Sequence, residues 1–151
     1  MVAGYTLSYN APFPGPELAV DFDSRLGRKT LIKLKRESMV WLTTVDAGGR
    51  PQPRPVWFHW GGQDILVFSP PDAAKVRQIA ANANASIHFN ADRDGTDVVV
   101  LLGRARRVRR ISAERRAAYL RKYRGNMKDP QSFQARFSVP ILFRPTTLRG
   151  H

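Results

Sequence analysis

The sequence contains no cysteine. A disulfide framework, a thiolate nucleophile, an iron–sulfur cluster and a zinc site built on cysteine are therefore excluded. Residues 1–20 also lack a basic segment followed by an apolar run, which is the pattern of a signal peptide or a membrane span. From these absences we expect a cytoplasmic protein.

Histidine is scarce as well, with three residues in the chain. His59 and His88 are too few to make a convincing set of metal ligands. A histidine inside a strand, as His88 is expected to be, is more often packed in the fold or at an interface. We therefore predict no metal site.

Acidic residues are few relative to basic ones, with 12 Asp and Glu against 25 Lys and Arg and a formal net charge of +13. Such a surface attracts polyanions. Three explanations stay open at this point: a nucleic-acid partner, an acidic tail on a cofactor, or a high-GC coding bias that favours arginine and alanine.

The length of 151 residues, of which 42% are hydrophobic, suits one core and not two. Residues 1–23 are rich in proline and glycine and show no periodicity, so we interpret them as an N-terminal arm. Residues 24–151 then form a single domain.

Hydrophobic periodicity predicts three helices, the first two with Ser24 and Asp72 as N-caps and the third opened by Ser112. It also predicts six strands, at residues 39–45, 51–60, 65–68, 85–90, 98–111 and 137–148. Short reversals join the first three strands into an antiparallel meander. Because the alternation typical of a parallel sheet is missing, the fold class is mainly β (α+β), a barrel of about six antiparallel strands with peripheral helices.

Two of the predicted strands have a composition that indicates where they lie in the sheet. Pro51, Pro53 and Pro55 alternate along the second strand, so their missing N–H groups all lie on one side, which suits an edge or an opening in the sheet. The continuous apolar run 98–102 predicts a strand that is buried on both faces.

Basic and hydroxyl groups are expected to meet at one corner of the sheet. Arg54 lies on a strand, Ser69 ends the next strand, and Lys75 stands in the first turn of the following helix. A guanidinium fork, a hydroxyl, an ammonium group and a helix N-terminus together suit a phosphate group. We therefore predict a site for a phosphate-bearing ligand.

This region resembles the pyridoxamine-phosphate-oxidase-like superfamily of split β-barrel flavin-binding proteins. In that superfamily an R-x-V-[apolar]-[apolar]-K strand precedes a strand ending in [FY]-[ST] and a helix with a basic residue six positions later. Five residues keep this spacing, namely Arg54, Val56, Phe68, Ser69 and Lys75. The segment 82–89 resembles the superfamily's N-P-x-[AV]-x-L-x-F, with Ala83 in place of proline.

The Trp57-Phe58 pair and the ending 143–150 are more similar to the actinobacterial branch that uses the deazaflavin coenzyme F420. The likeness implies that Arg54, Ser69 and Lys75 hold the cofactor phosphate and that the backbone of 55–58 lines the ring. The full set of cofactor-binding residues is then Arg54, Pro55, Val56, Trp57, Phe58, Ser69, Ala74 and Lys75.

Two positions depart from the superfamily pattern. His59 replaces the lysine that ends the first strand of the motif, and His151 stands where tryptophan is common. Loss of that second cation weakens the case for tightly held FMN, which stays as the alternative cofactor.

The resemblance also implies a homodimer with the cofactor groove between subunits. No catalytic acid, base or nucleophile stands out, which is acceptable where the cofactor carries the hydride. The expected activity is hydride transfer from reduced F420 to a small unsaturated or conjugated substrate. The alternatives are an FMN-dependent oxidase or reductase, a non-catalytic cofactor carrier, and a nucleic-acid-binding barrel. The arginine run 104–110 has no interleaved aromatic residue, so nucleic acid is the least favoured partner.

Overall fold

A computed structural model of the protein describes residues 20–151, so most of the predicted arm 1–23 lies outside the described residues. The described helices are α1 (Arg25–Arg36), α2 (Ala74–Ala81), α3 (Ala113–Tyr123), α4 (Pro130–Arg136) and a single 3-10 turn at Arg124–Asn126. The strands are β1 (Val40–Val45), β2 (Pro51–Val56), β3 (His59–Trp60), β4 (Ile65–Ser69), β5 (Asn84–His88), β6 (Val99–Arg107) and β7 (Val139–Gly150).

The predicted N-cap Ser24 is confirmed, and so is the helix start at Ser112. The Ser24 side chain accepts a hydrogen bond from the Gly27 N–H at 2.9 Å. Ser112 accepts from the Arg115 N–H at 3.2 Å. The prediction for Asp72 is wrong, because α2 begins one residue later than expected and its N-cap is Ala73, which has no side chain able to cap.

The strands form one antiparallel sheet in the order β2-β1-β5-β6-β7-β4-β3. The predicted meander is confirmed in its two antiparallel reversals and wrong in its unbroken middle strand. The single strand expected at 51–60 is divided at Trp57 and Phe58, and its two pieces pair with different neighbours, β2 with β1 and β3 with β4. Seven strands therefore replace the expected six.

The division of that strand determines the shape of the sheet. Strands β2 and β3 stand at opposite ends of the sheet, yet only two residues connect them. Three Cα–Cα steps span at most about 11 Å, whereas seven strands laid flat would separate the end strands by about 29 Å. The sheet must therefore curl until its ends nearly meet, which gives the barrel with an open split that the sequence predicted.

The proline-rich strand lies at the end of the sheet, as expected. Pro51, Pro53 and Pro55 of β2 face Val45, Thr43 and Trp41 of β1, and all three prolines are exposed. In the described chain β2 has β1 as its only partner strand. The missing N–H groups thus fall on the unpaired side.

The core consists of two clusters. The larger fills the barrel and includes the fully buried side chains Leu42, Phe58, Ile87, Leu101 and Phe143. The smaller lies on the outer face of β4 and β7, beneath α3 and α4, and its buried members are Leu66, Phe68, Val108, Tyr119, Tyr123 and Leu142. Two aromatic clusters therefore pack on opposite faces of the same strands.

Strand β6 is less buried than predicted. Val99 and Leu101 point into the barrel, but Leu102 is 39% exposed, so the expectation of burial on both faces is wrong.

None of the helices within residues 20–151 is long and apolar enough to cross a membrane.

Candidate functional site

A groove of about 440 Å³ opens at the split of the barrel. We call it the aromatic groove, and the residues that line it are Met39, Pro55, Val56, Trp57, Phe68, Lys75, Tyr119, Phe133 and Phe137. Its volume lies within the range of small-molecule and cofactor sites, which are mostly apolar with a few polar groups. Five of these nine residues are aromatic, so the groove suits a flat ligand.

Lys75 is the charged residue among the described lining residues. Burial lowers the pKa of its amine, and the positive charge of Arg54 lowers that pKa further. Arg54 itself is exposed, and within residues 20–151 neither side chain forms an ion pair with a carboxylate. Two close cations without a counter-ion make the mouth of the groove attractive to an anion.

The start of α2 adds to this positive potential. Lys75 is in its first turn, after the uncapped residue Ala73, and Ala74 is exposed. The first N–H groups of a helix carry partial positive charge and favour anions. Arg54 and Lys75 therefore come together as the sequence predicted, but across the split of the barrel and not through adjacent strands.

Other predicted residues lie elsewhere. Ser69 has no exposed surface, and its hydroxyl donates to the Pro70 carbonyl at 3.0 Å. Phe58 is also fully buried and packs inside the barrel, 6.2 Å from the ring of Phe89. In the described structure neither side chain lines the aromatic groove, whereas Pro55, Val56 and Trp57 do.

Tyr123 holds the break between β2 and β3 in place. Its hydroxyl accepts from the Phe58 N–H at 2.8 Å and lies 2.8 Å from the Ser38 carbonyl and 2.9 Å from the Phe58 carbonyl. Burial raises the pKa of Tyr123 to about 12. The hydroxyl therefore stays protonated. Its hydrogen bonds attach α3 to residues 57–58, where the chain passes between the two ends of the sheet.

Lys122, the residue of α3 that precedes Tyr123, also contacts Phe58 at the break between β2 and β3. Its Nζ donates to the Phe58 carbonyl at 3.0 Å and lies 3.6 Å from the centroid of the Phe58 ring. Burial lowers the pKa of this amine to about 8, although Glu37 opposes the shift. The backbone N–H and C=O of Phe58 are thus both engaged by α3.

Of Trp57 and Phe58, Trp57 is the residue whose side chain can contact a ligand in the aromatic groove. Its ring stacks on Tyr123 at a centroid distance of 4.5 Å and an interplanar angle of 4°, and it also contacts Phe133 at 5.5 Å. These contacts fix the indole as a rigid wall of the aromatic groove.

His59 does not line the described part of the groove. Its Nδ1 is buried without a hydrogen-bond partner in the described chain. Burial lowers the pKa of its imidazole, and the charges of Arg115, Lys122 and Arg121 lower it further. The positive charges of α3 and burial thus both oppose protonation of His59. Within residues 20–151 no group of three or more His, Asp or Glu could hold a metal ion.

Sequence reasoning missed the far wall of the groove, which Tyr119, Phe133 and Phe137 supply. No helix was predicted at residues 130–136, which precede the strand predicted at 137–148. The signal for helix α4 was present, because the Asp129 side chain caps the helix, accepting from the Gln131 N–H at 3.0 Å, and Pro130 occupies its first turn. Phe133 and Phe137, four residues apart, then stack at 4.5 Å.

Three solved structures illustrate what the fold is similar to. An F420 reductase is 25% identical and superposes with a TM-score of 0.61, covering 77% of this chain and 92% of its own. The heme storage protein HutZ of Vibrio cholerae is 18% identical, with a TM-score of 0.63 and coverages of 84% and 95%. An FAD-binding protein from Mesorhizobium loti is 15% identical, with a TM-score of 0.64 and coverages of 80% and 88%.

These similar structures are named for different groups, namely F420, heme and FAD, so the fold by itself does not determine the cofactor. No curated protein sequence matches the chain. A sequence profile described as pyridoxamine 5'-phosphate oxidase, however, matches residues 29–149. This match spans every described strand except the last residue of β7, as well as the aromatic groove. The chain therefore belongs to the pyridoxamine 5'-phosphate oxidase family.

Proposed function

We propose that this protein is an F420-dependent oxidoreductase, which transfers a hydride from reduced deazaflavin to a small unsaturated or conjugated substrate. The observation that carries the proposal is the arrangement of Arg54 and Lys75 beside the start of α2, at the mouth of an apolar groove walled by aromatic rings. A ligand with a phosphate group and a flat ring would place its phosphate beside the two cations and its ring in the aromatic groove.

The charge pattern supports the phosphate end. Arg54 and Lys75 repel each other, and a bound phosphate would turn this repulsion into two charge-assisted interactions. Each such hydrogen bond is worth about 1.5–3 kcal/mol, so loss of either side chain would weaken binding by more than tenfold. The chain's net charge of +13 would also favour the acidic oligoglutamate tail of F420.

The aromatic groove supports the ring end. Trp57 and Phe133 are held in place by stacking, so a flat ring meets a preformed surface and little conformational entropy is lost. The deazaflavin supplies the hydride, while the protein supplies binding, orientation and exclusion of water. The proton that completes the reduction would come from water or a nearby side chain. The 25% identical F420 reductase favours deazaflavin over other cofactors.

A parallel fluorescence titration with F420 and FMN tests the proposal. We expect F420 to bind, and Lys75→Ala and Arg54→Ala each to weaken binding by more than tenfold. Lys35→Ala and Arg93→Ala are matched controls, since they remove the same charges from exposed positions away from the groove. Affinity unchanged in both site variants would refute the site.

FMN is the alternative cofactor, and the same titration decides between the two. A protein that purifies yellow, with flavin absorbance and tight FMN binding that depends on Lys75, would favour an FMN oxidase or reductase. Consumption of reduced F420 in the presence of menadione distinguishes an enzyme from a cofactor carrier. Nucleic-acid binding that persists at high salt would contradict both, because binding driven by charge alone weakens as salt increases.

We also propose that the protein is a homodimer with the cofactor groove between subunits. The outer face of β1, β5 and β6 supports this, since Trp41 and His88 stack there at 6.2 Å and Leu102 is exposed. A sheet face that carries stacked rings and an exposed leucine suits contact with a second copy of the chain. Sedimentation of the purified protein measures its mass directly.

A further inference from the structure

Two tyrosines of α3 are buried to the same extent and differ in how their hydroxyls are used. Tyr119 and Tyr123 are each 1% exposed. The Tyr123 hydroxyl bonds to the backbone at Phe58 and Ser38. In contrast, no hydrogen bond within residues 20–151 reaches the hydroxyl of Tyr119. The Tyr119 side chain is therefore buried, while its hydroxyl makes no hydrogen bond within the described residues.

Most polar atoms of buried side chains have a hydrogen-bond partner, in the protein, in ordered water or in a ligand. Tyr119 lines the aromatic groove, and its ring is otherwise enclosed. The groove is therefore where a partner for this hydroxyl can come from.

The ring of Tyr119 is rigidly placed. It meets Phe68 edge-on at 4.7 Å and 90°, Tyr123 at 5.1 Å and Phe133 at 6.2 Å. Burial raises the pKa of its hydroxyl far above the usual range, with a further contribution from Tyr123. The hydroxyl is thus a protonated donor at any physiological pH, held ready before a ligand arrives.

We propose that the Tyr119 hydroxyl donates a hydrogen bond to a carbonyl oxygen of a flat, conjugated ligand bound in the aromatic groove. The apolar rings of the groove accept the flat ligand, and the hydroxyl selects ligands that carry an acceptor. A carbonyl of this kind could belong to the substrate, as in a quinone or an enone, or to the ring of the cofactor.

The inference deepens the proposed function by naming the class of substrate. When a reduced deazaflavin gives a hydride to a conjugated carbonyl compound, the hydride's two electrons form the new bond to carbon and negative charge moves to the oxygen. The Tyr119 hydrogen bond would stabilise that oxygen, and solvent would supply the proton. Tyr119 keeps its own proton throughout.

Tyr119→Phe tests this cleanly, since it removes one oxygen and keeps the ring. The probes are menadione and 2-methylnaphthalene, which share a flat bicyclic shape and differ in the two carbonyl groups. By isothermal titration calorimetry we expect Tyr119→Phe to bind menadione about fivefold to tenfold more weakly. We expect its affinity for 2-methylnaphthalene to equal that of the unmodified protein.

Three results would overturn the proposal: no binding of menadione to the unmodified protein, equal menadione affinity in both proteins, or an equal loss for both probes. Titrations of both proteins with F420 and FMN identify the source of the carbonyl, because cofactor affinity falls in the variant only if the cofactor supplies it. The menadione comparison needs no cofactor, so its failure is distinguishable from failure of the F420 proposal, which is measured with Lys75→Ala.

Discussion

The substitution Tyr123→Phe tests whether α3 holds the break between the two ends of the sheet. It removes one hydroxyl and keeps the aromatic ring, which stacks on Trp57 at 4.5 Å. That hydroxyl accepts from the Phe58 N–H at 2.8 Å. Since it has a single proton, it donates to one of two carbonyls, that of Ser38 or that of Phe58.

The cost follows from what each partner can do without the hydroxyl. The Phe58 carbonyl keeps the Lys122 amine at 3.0 Å, and the Ser38 carbonyl belongs to an exposed residue that water can reach. The Phe58 N–H has no such replacement, because Phe58 has no exposed surface. An orphaned buried donor costs about 1–3 kcal/mol and the lost bond to a carbonyl adds about 0.5–1.5 kcal/mol, so we expect the free energy of unfolding to fall by about 1.5–4.5 kcal/mol.

Urea denaturation followed by circular dichroism measures this difference. Tyr119→Phe is the matched control, since it removes a hydroxyl from an equally buried ring of the same helix, and we expect it to stay within about 0.5 kcal/mol of the unmodified protein. The reasoning is refuted if Tyr123→Phe is as stable as the unmodified protein, or if both variants lose the same amount.

Three further predictions follow from other features. The pKa of Lys122 in the folded protein, about 8, lies below its value in the unfolded chain, so the unfolded state binds more protons between pH 8 and 10. The free energy of unfolding should therefore rise by on the order of 1 kcal/mol over that range in urea titrations. Lys122→Met should abolish that part of the rise. An added Cβ at Gly103 would lie 2.1 Å from the Arg144 carbonyl oxygen, whereas one at Gly125 meets nothing within 4 Å. Gly103→Ala should therefore lower the free energy of unfolding by about 1–3 kcal/mol in the same assay, and Gly125→Ala should leave it unchanged. Leu102→Glu should convert the proposed dimer to a monomer in sedimentation experiments, and an unchanged mass would exclude this face as the interface.

Local signals predicted most of the fold. Ser24 and Ser112 were recognised because a hydroxyl before an apolar periodic run has few other uses. The pairing of distant strands was not predictable in the same way. Residues 51–60 read as one extended segment, and nothing local reports that Trp57 and Phe58 cross from one end of the sheet to the other, because that break depends on Tyr123, 65 positions away from Phe58.

The site was predicted in part for a related reason. Arg54 and Lys75 were found because charge and spacing are visible along the chain. Ser69 has its hydroxyl bonded to Pro70, a contact that depends on the local turn and on burial. Tyr119 and Phe133 line the groove because α3 and α4 pack on the outer face of the sheet. No short sequence motif predicts this position for them.

The two ends of the sheet also bear on how the protein behaves at high concentration. An exposed edge strand is a template on which another chain can add a strand, and this is a route to aggregation. Here one end carries three prolines, which cannot donate to an incoming strand, and the other end is a strand of two residues, too short to template a stable ladder. Growth of the sheet is thus disfavoured at both ends, and the proposed association of two copies would use the face of the sheet, where contacts are made by side chains.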